Sequence, residues 1–480
     1  MSGNKKLTAL LLLAVLASQS FSCSTGEAST DTTANTAAPT KAETTDPLLP
    51  KETADFGEKK FTVITTSALS YIYAEEQNGS LVNDAMYERD RKTEEALNID
   101  IGYHIAGAAI EDVFPAVSAS VMAGDHDYDL IVSHVNWDLN SYVSDNIVLD
   151  WNTVPHVDFD KVYWNKNIIN SLSINGKSPY AASDMFIGNT VFLLLNKKLA
   201  EDMKLGNLYT YVYDGKWTWD LLAKISADIS GDIDGNGEMN ELDRYGVVVN
   251  VSNSSWMLRN IPGSCGQKIY TNGENGLELT VNNERTQSIL EKSVALFNGG
   301  GGYILNDTDK SAAAVVANFN RGNYLTYFVS AHDSASAYNN LDFDYGVLPL
   351  PKYDEKQESY KALSWSHNMM IPSTADAEMS GMVSEWMSYY GHKLLRPKFY
   401  DSLLSVRFAQ DEETIDMLDL IWENIDYDPG MTFKSKNFYG YFDDMVKAST
   451  SDFASFYQSK LESEENYLKA LNESFENFGK

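Results

Sequence analysis

The stretch Trp217 to Gly246, WTWDLLAKISADISGDIDGNGEMNELDRYG, holds a helix, an acidic loop and the start of a strand in unbroken order. Thr218 can cap a helix whose apolar residues Trp219, Leu221, Leu222, Ile225 and Ile229 recur at helical spacing. After the loop, Tyr245 to Val249 reads as a buried strand. The loop between them carries the most specific signal in the chain.

With Asp232 as position 1, oxygen-bearing side chains fall at Asp232, Asp234, Asn236, Asn240 and Asp243, which are positions 1, 3, 5, 9 and 12 of an EF-hand loop. Gly237 takes position 6, where the chain turns sharply, and Glu238 would add its backbone carbonyl. A Ca2+ ion takes six to eight oxygens at roughly 2.3–2.6 Å, and this spacing can wrap them round one point. Position 12 is ordinarily a bidentate Glu, and Asp243 is one methylene shorter. The competing reading is a solvated Asp/Asn/Gly turn without metal. A bound cation would clip a helix to a strand, which is a structural role.

The sequence has 480 residues, enough for two ordinary domains, and 43% hydrophobic with 12% aromatic content can fill their cores. A formal net charge of −31, from 37 basic and 68 acidic residues, repels nucleic acid and anionic lipid surfaces. No Lys/Arg cluster interleaved with aromatics reverses this locally. Cys23 and Cys265 are too few and too far apart to make a disulfide framework.

Lys5 and Lys6 precede an apolar run, Leu7 to Ala17, of signal-peptide length and short of the ~20 residues that span a bilayer. Ser20-Phe21-Ser22-Cys23 sits where a lipoprotein signal is cut, leaving Cys23 to carry lipid. A lipobox has Leu where this chain has Ser20, so ordinary cleavage with a free Cys23 stays open. Residues 24–54 are rich in Ser, Thr, Ala, Glu, Asp and Pro, too poor in large apolar groups to fold, and suit a tether.

From Phe56 the order is strand (Lys60 to Thr65), helix (Leu81 to Leu97), strand (Asn98 to Tyr103) and strand (Tyr128 to Ser133), which predicts an α/β domain with parallel pairing. Ligands bind at the carboxyl ends of such strands. Tyr71 follows the first strand, and His134 and Trp137 follow the last. The seven histidines show no metal spacing, so a hydrogen-bonded structural role competes for His134. Core packing competes for Trp137.

The order TWD, helix, DxDGNG, YG resembles that of bacterial extracellular solute-binding proteins of family 1, the maltose-binding-protein-like proteins of carbohydrate ABC transporters. The likeness extends over roughly residues 56–480. It rests further on Trp164 near a helix, on SINGKSPYAAS, on a strand ending in Asn-Lys at Leu193 to Lys197, on FDYGVLPLP at Phe343 to Pro351, and on YKALSWSHNMMIP from Tyr360. The resemblance implies an α/β, two-lobed periplasmic-binding-protein-like type II fold with a hinged central cleft. Its parts would be a signal peptide (1–22), a lipid-anchored disordered tether (23–54), lobe one (55–182), lobe two (183–343) with the calcium loop at 232–243, a return segment in lobe one (344–373) and a helical region mainly on lobe two (374–480).

The same resemblance implies a ligand site at Tyr71, His134, Trp137, Trp164, Asp184, Trp256, Tyr338, Trp365 and Asn368, with metal ligands at Asp232, Asp234, Asn236, Glu238, Asn240 and Asp243 and lipidation at Cys23. A protein of this class does no chemistry. It closes on a carbohydrate, expected to be an oligosaccharide, and presents it to the permease subunits of an ABC transporter, as a monomer held at the outer membrane face by its lipid. The run Asn298 to Gly302 lacks the Gly-Lys-Ser/Thr of a phosphate loop and reads as a flexible connector. Two rivals stay open. A surface sugar sensor or adhesion module would use the same cleft, and a secreted glycoside hydrolase would need a carboxylate pair, which chance alone supplies among 68 acidic residues.

Overall fold

The computed structural model describes residues 46–135, 137, 139–251, 256–306, 312–331, 341–364, 367–403 and 412–480. The chain divides after Pro47, and the unit from Leu48 to Lys480 carries every sheet of the described residues. Residues 48–54, which composition assigns to the tether, are tied down: the Trp386 indole donates to the Glu52 carbonyl at 2.9 Å and the Thr53 hydroxyl to the Ala96 carbonyl at 3.0 Å. The tether reading therefore ends earlier than 54.

The first lobe is built on a four-stranded sheet in the order β12 (His367–Met370), β3 (Leu130–His134), β1 (Lys59–Thr65), β2 (Ile99–Ile105). β1 runs parallel to both β2 and β3, while β12 is antiparallel to β3 and pairs His367 with His134. Alternation along each strand sends residues to opposite faces. Val63, Leu130, Val132 and Met369 enter one apolar cluster with Trp151 and Trp164, and Ile64, Ile131 and Met370 enter the other. The helix Leu81–Leu97 ends where Asn98 takes a left-handed φ of 49°. Its buried face carries an ion pair, Arg89 to Asp90 at 2.7 Å, closed off by the Tyr103 hydroxyl.

The second lobe holds a five-stranded sheet in the order β10 (Tyr345–Leu348), β4 (Val191–Asn196), β9 (Tyr324–Ser330), β5 (Tyr245–Asn250), β8 (Gly302–Leu305). β4, β5 and β9 are buried along their whole length, which explains their nearly continuous apolar sequences. The glycine run before β8 is a tight turn rather than slack chain. The Gly301 carbonyl accepts from Ser230 Oγ and Gly246 N, and a Cβ on Gly302 would meet the Phe297 and Val247 side chains. A hairpin of β6 (Tyr270–Gly273) and β7 (Gly276–Leu279), and a parallel pair of β11 (Ala362–Leu363) with β13 (Ile425–Asp426), complete the strands of the described residues.

The expected return segment 344–373 divides. Tyr345–Leu348 joins the second sheet as β10, and the chain re-enters the first sheet only at β12. The C-terminal region divides likewise: the helix Ala377–Tyr390 packs on Leu81–Leu97 of the first lobe, and its Met379, Met382, Val383 and Met387 join that lobe's apolar cluster. The helix Phe453–Asn477 lies against both Leu139–Ser144 and β7.

Candidate functional site

In both sheets the parallel strands point their carboxyl ends toward the segments that join the lobes. The first of these segments, after Ala181, is bonded to the second and to the end of β9. Thr190 Oγ1 donates to the Leu363 carbonyl at 2.7 Å, Ser364 Oγ to the Asn189 carbonyl at 2.6 Å, Ser330 Oγ to Asn189 Oδ1 at 3.1 Å, and Ala331 N to the Thr190 carbonyl at 3.0 Å. This joint fixes the floor between the lobes.

The first lobe contributes a rim of rings. His134, the last residue of β3, meets Trp137 edge to face at 5.8 Å between centroids, and its Nδ1–H donates to the Val135 carbonyl. Across the register, His367 lies 6.2 Å from Tyr71 and 5.0 Å from Phe186, and its carbonyl accepts from the Tyr427 hydroxyl at 2.6 Å. The Lys434 ammonium sits over the Trp137 ring, 3.6 Å from its centroid. Burial, opposed by the Val135 bond and joined by the Lys434 charge, lowers the His134 pKa, so the ring is neutral at pH 7.

The structure thus brings together Tyr71, His134 and Trp137 of the expected ligand residues. Trp256 is half-buried at the start of the helix Trp256–Ser264, just beyond the carboxyl end of β5. Trp164 and Asn368 are corrected by their burial. Trp164 is 3% exposed and donates its indole N–H to Glu385 at 2.7 Å, and Asn368 has no exposed surface and donates to the Ser133 carbonyl at 3.4 Å. An aromatic beside a strand serves the core when a buried carboxylate takes its N–H. Asp184 binds His392 Nδ1 at 2.6 Å and Arg396 Nη1 at 3.5 Å, and lines a separate cavity of about 730 Å3 with Tyr400, Asp419 and Trp422. Tyr338, Trp365 and Cys23 lie outside the described residues.

Lys434 at the rim, and the buried Tyr427 and Phe186 that pack on His367, were not expected. Lys434 and Trp137 are far apart in sequence and no motif links them, so only the chain path could have found that pair.

The acidic loop forms a second constellation, next to the amino end of β5. Carboxylate oxygens of Asp232, Asp234 and Asp243 lie within 4.8 Å of one another. Asp232 accepts from Gly235 N and Gly237 N at 2.6 and 2.8 Å, and Gly237 has a φ of +86°, as the sharp turn requires. Asp243 is fully buried and accepts from Ile233 N and Asn240 N at 2.9 and 2.8 Å. Asn236 accepts from Glu238 N and Asn240 from Leu242 N, so both amide oxygens are held in the loop. Backbone bonds keep the Asp232 carboxyl below the usual carboxylate range. An all-oxygen donor set round a glycine turn fits a hard cation.

An apolar cavity of about 240 Å3 lies within the second lobe, lined by Trp219, Ile261, Cys265 and Leu296. Burial pushes the Cys265 thiol up to about 12, so it is unreactive at neutral pH.

No protein-family model matches the sequence, and no curated protein matches it. Solved structures do. The ABC substrate-binding protein Lmo0181 from Listeria monocytogenes, in complex with cycloalternan, is similar at 13% identity over 87% of this chain and 99% of that one, with a TM-score of 0.51. UgpB from Mycobacterium tuberculosis, in complex with glycerophosphocholine, is similar at 14% identity over 82% and 99%, with a TM-score of 0.54. The two-lobed α/β architecture expected from the sequence is present, and the chain has the fold of the ABC substrate-binding proteins.

Proposed function

We propose that the protein captures a carbohydrate between its lobes outside the cell and hands it to the permease of an ABC transporter. The observation that carries this reading is the hydrogen-bonded joint at Asn189, Thr190, Leu363, Ser364 and Ser330, placed where the carboxyl ends of both sheets converge. Two lobes on such a joint close by hinge motion, and ligand and closed form stabilise one another. Tyr71 and Trp137 offer aromatic faces to sugar rings. The ligand of Lmo0181, cycloalternan, favours a carbohydrate, while that of UgpB makes a glycerol phosphodiester the second class to test.

The reading includes an exported chain with Cys23 as its lipid-bearing residue and membrane contact through that lipid only. No helix of the described residues is long and apolar enough to cross a membrane. It also includes a Ca2+ ion held by Asp232, Asp234, Asn236, Asn240, Asp243 and the Glu238 carbonyl. That ion would fix the end of the helix Trp219–Ile229 to β5 and take no part in ligand capture.

The test is the melting temperature against mono- and oligosaccharides and glycerophosphodiesters, with each ligand analysed for cleavage afterwards. A ligand that binds only the folded state raises the midpoint, by about 2.7 kcal/mol of stability at a hundred times its Kd. A rise with intact sugar supports capture. A rise with cleaved sugar makes the protein a hydrolase and ends this reading, and a rise with phosphodiesters alone replaces the ligand class.

A further inference from the structure

Lys434 is placed with unusual care for an exposed lysine. Its φ is +49°, a conformation few residues other than glycine adopt. The backbone is pinned on both sides, since Phe433 N donates to the Pro429 carbonyl at 2.8 Å and Ser435 N to the Gly430 carbonyl at 2.6 Å. Ahead of it, Asp428 anchors the segment to the second lobe by accepting from Ile269 N at 2.7 Å. The result is an ammonium held 3.6 Å from the centre of the Trp137 ring.

Among the described residues no carboxylate lies within ion-pair distance of that ammonium. Acids close to Lys434 in sequence, or bonded to its neighbour Ser435, have other partners: Glu464 accepts from Tyr270, Ser435 and Asn437, Asp426 pairs with Lys268 at 2.5 Å, and Asp443 with Arg259 at 2.5 Å. In a chain of net charge −31 a rim cation with no carboxylate partner among the described residues is notable. It gives that end of the cleft a local sign opposite to the field of the whole molecule. The neighbouring His134 ring is neutral, so among the described residues of this rim the positive charge is that of Lys434.

Resting on the reading of the cleft as a carbohydrate site, we propose that its ligand is an anionic sugar, with the acidic group paired to Lys434 and an apolar ring face against Trp137. The ammonium swings off the indole as the sugar replaces it there. A carboxylate and a phosphate offer Lys434 the same charged acceptor, so either source of the anion fits the geometry.

The experiment compares glucuronate, galacturonate and glucose 6-phosphate with glucose and galactose, by calorimetric titration of the full-length protein and of its Lys434→Gln and Lys434→Arg variants. Lys434 is exposed, so both variants fold. Expected is binding of at least one anionic sugar in preference to its neutral parent, weakened about tenfold to a hundredfold in Lys434→Gln, as loss of one charge-assisted hydrogen bond predicts. Lys434→Arg should largely restore it, and added salt should weaken it only where the cation is present. Uronates and the phosphate, read separately, say which anion is the source. Equal anionic binding in Lys434→Gln, or binding of neutral sugars alone, overturns the proposal and leaves carbohydrate capture standing. Binding of none of the five overturns the proposal, and carbohydrate capture is then decided separately by the oligosaccharide melting panel.

Discussion

In the acidic loop the carboxylates of Asp232, Asp234 and Asp243 accept from backbone amides no more than ten residues away. At the rim of the first lobe, Tyr71, His134 and Lys434, with the buried Phe186, His367 and Tyr427 that support them, come from separate segments spread over most of the chain. Both use a handful of polar and aromatic groups. The loop can organise much of its own geometry, whereas the rim exists only once both lobes are folded. Local wiring suits a part that holds the scaffold, and long-range wiring suits a part that must respond to how the lobes sit.

The strongest challenge to that contrast is Asp243→Ala. It removes a fully buried carboxylate and orphans Ile233 N and Asn240 N, so unfolding in denaturant should show a loss of about 2–4 kcal/mol. A loss under about 0.5 kcal/mol would mean the loop stabilises nothing beyond itself. Next comes chelation. With free Ca2+ at a hundred times its Kd, its removal should cost about 2.7 kcal/mol, read as a lower melting temperature in the wild type and no change in Asp232→Asn with Asp234→Asn. Identical melting with and without chelator would leave the loop as a metal-free turn.

Trp137→Ala tests the rim. It should weaken ligand binding by about 1–2 kcal/mol, roughly fivefold to thirtyfold, with little change in melting because the ring is half-exposed. Loss of fold with full affinity would reverse the roles given to rim and loop.

The smallest effect expected is at His156, which joins Glu52 and Glu378, the latter at 2.5 Å, through contacts as long-range as those of the rim but near solvent. Partial burial lowers its pKa, and the bonds to Glu378 and Glu52 outweigh this and raise it. The contribution is therefore present below the unfolded value of about 6.5 and lost as pH rises through the folded one. His156→Gln should remove at most about 0.5 kcal/mol at about pH 5 and almost nothing at about pH 8. A larger loss at high pH than at low would break the assignment.

The same division decides what could be read from the chain beforehand. The helix Trp219–Ile229 with its Thr218 cap, the helix Leu81–Leu97 and the strands near Lys60, Tyr128 and Tyr245 are written in local periodicity and capping, and they stand where expected to within two residues. The loop was legible because its donors fall in one window. Trp164 and Trp137 look alike in sequence, each an aromatic near the end of an element. One is sealed in the core by Glu385 and the other lies under a lysine, and neither partner is nearby in the chain. The split of 344–373 between sheets was hidden for a related reason: FDYGVLPLP encodes a buried strand but not which sheet receives it.

The antiparallel strand β12 settles beside β3, with Asn368 and Ser133 separated by 235 positions in the chain. Until that strand arrives, β3 is an unpaired edge, a template for foreign pairing. Contacts so distant form slowly, because the entropy of closing the loop comes before their reward. This sheet is therefore completed only after nearly four-fifths of the chain has been made. A fragment ending before His367 would be an aggregation hazard rather than a domain.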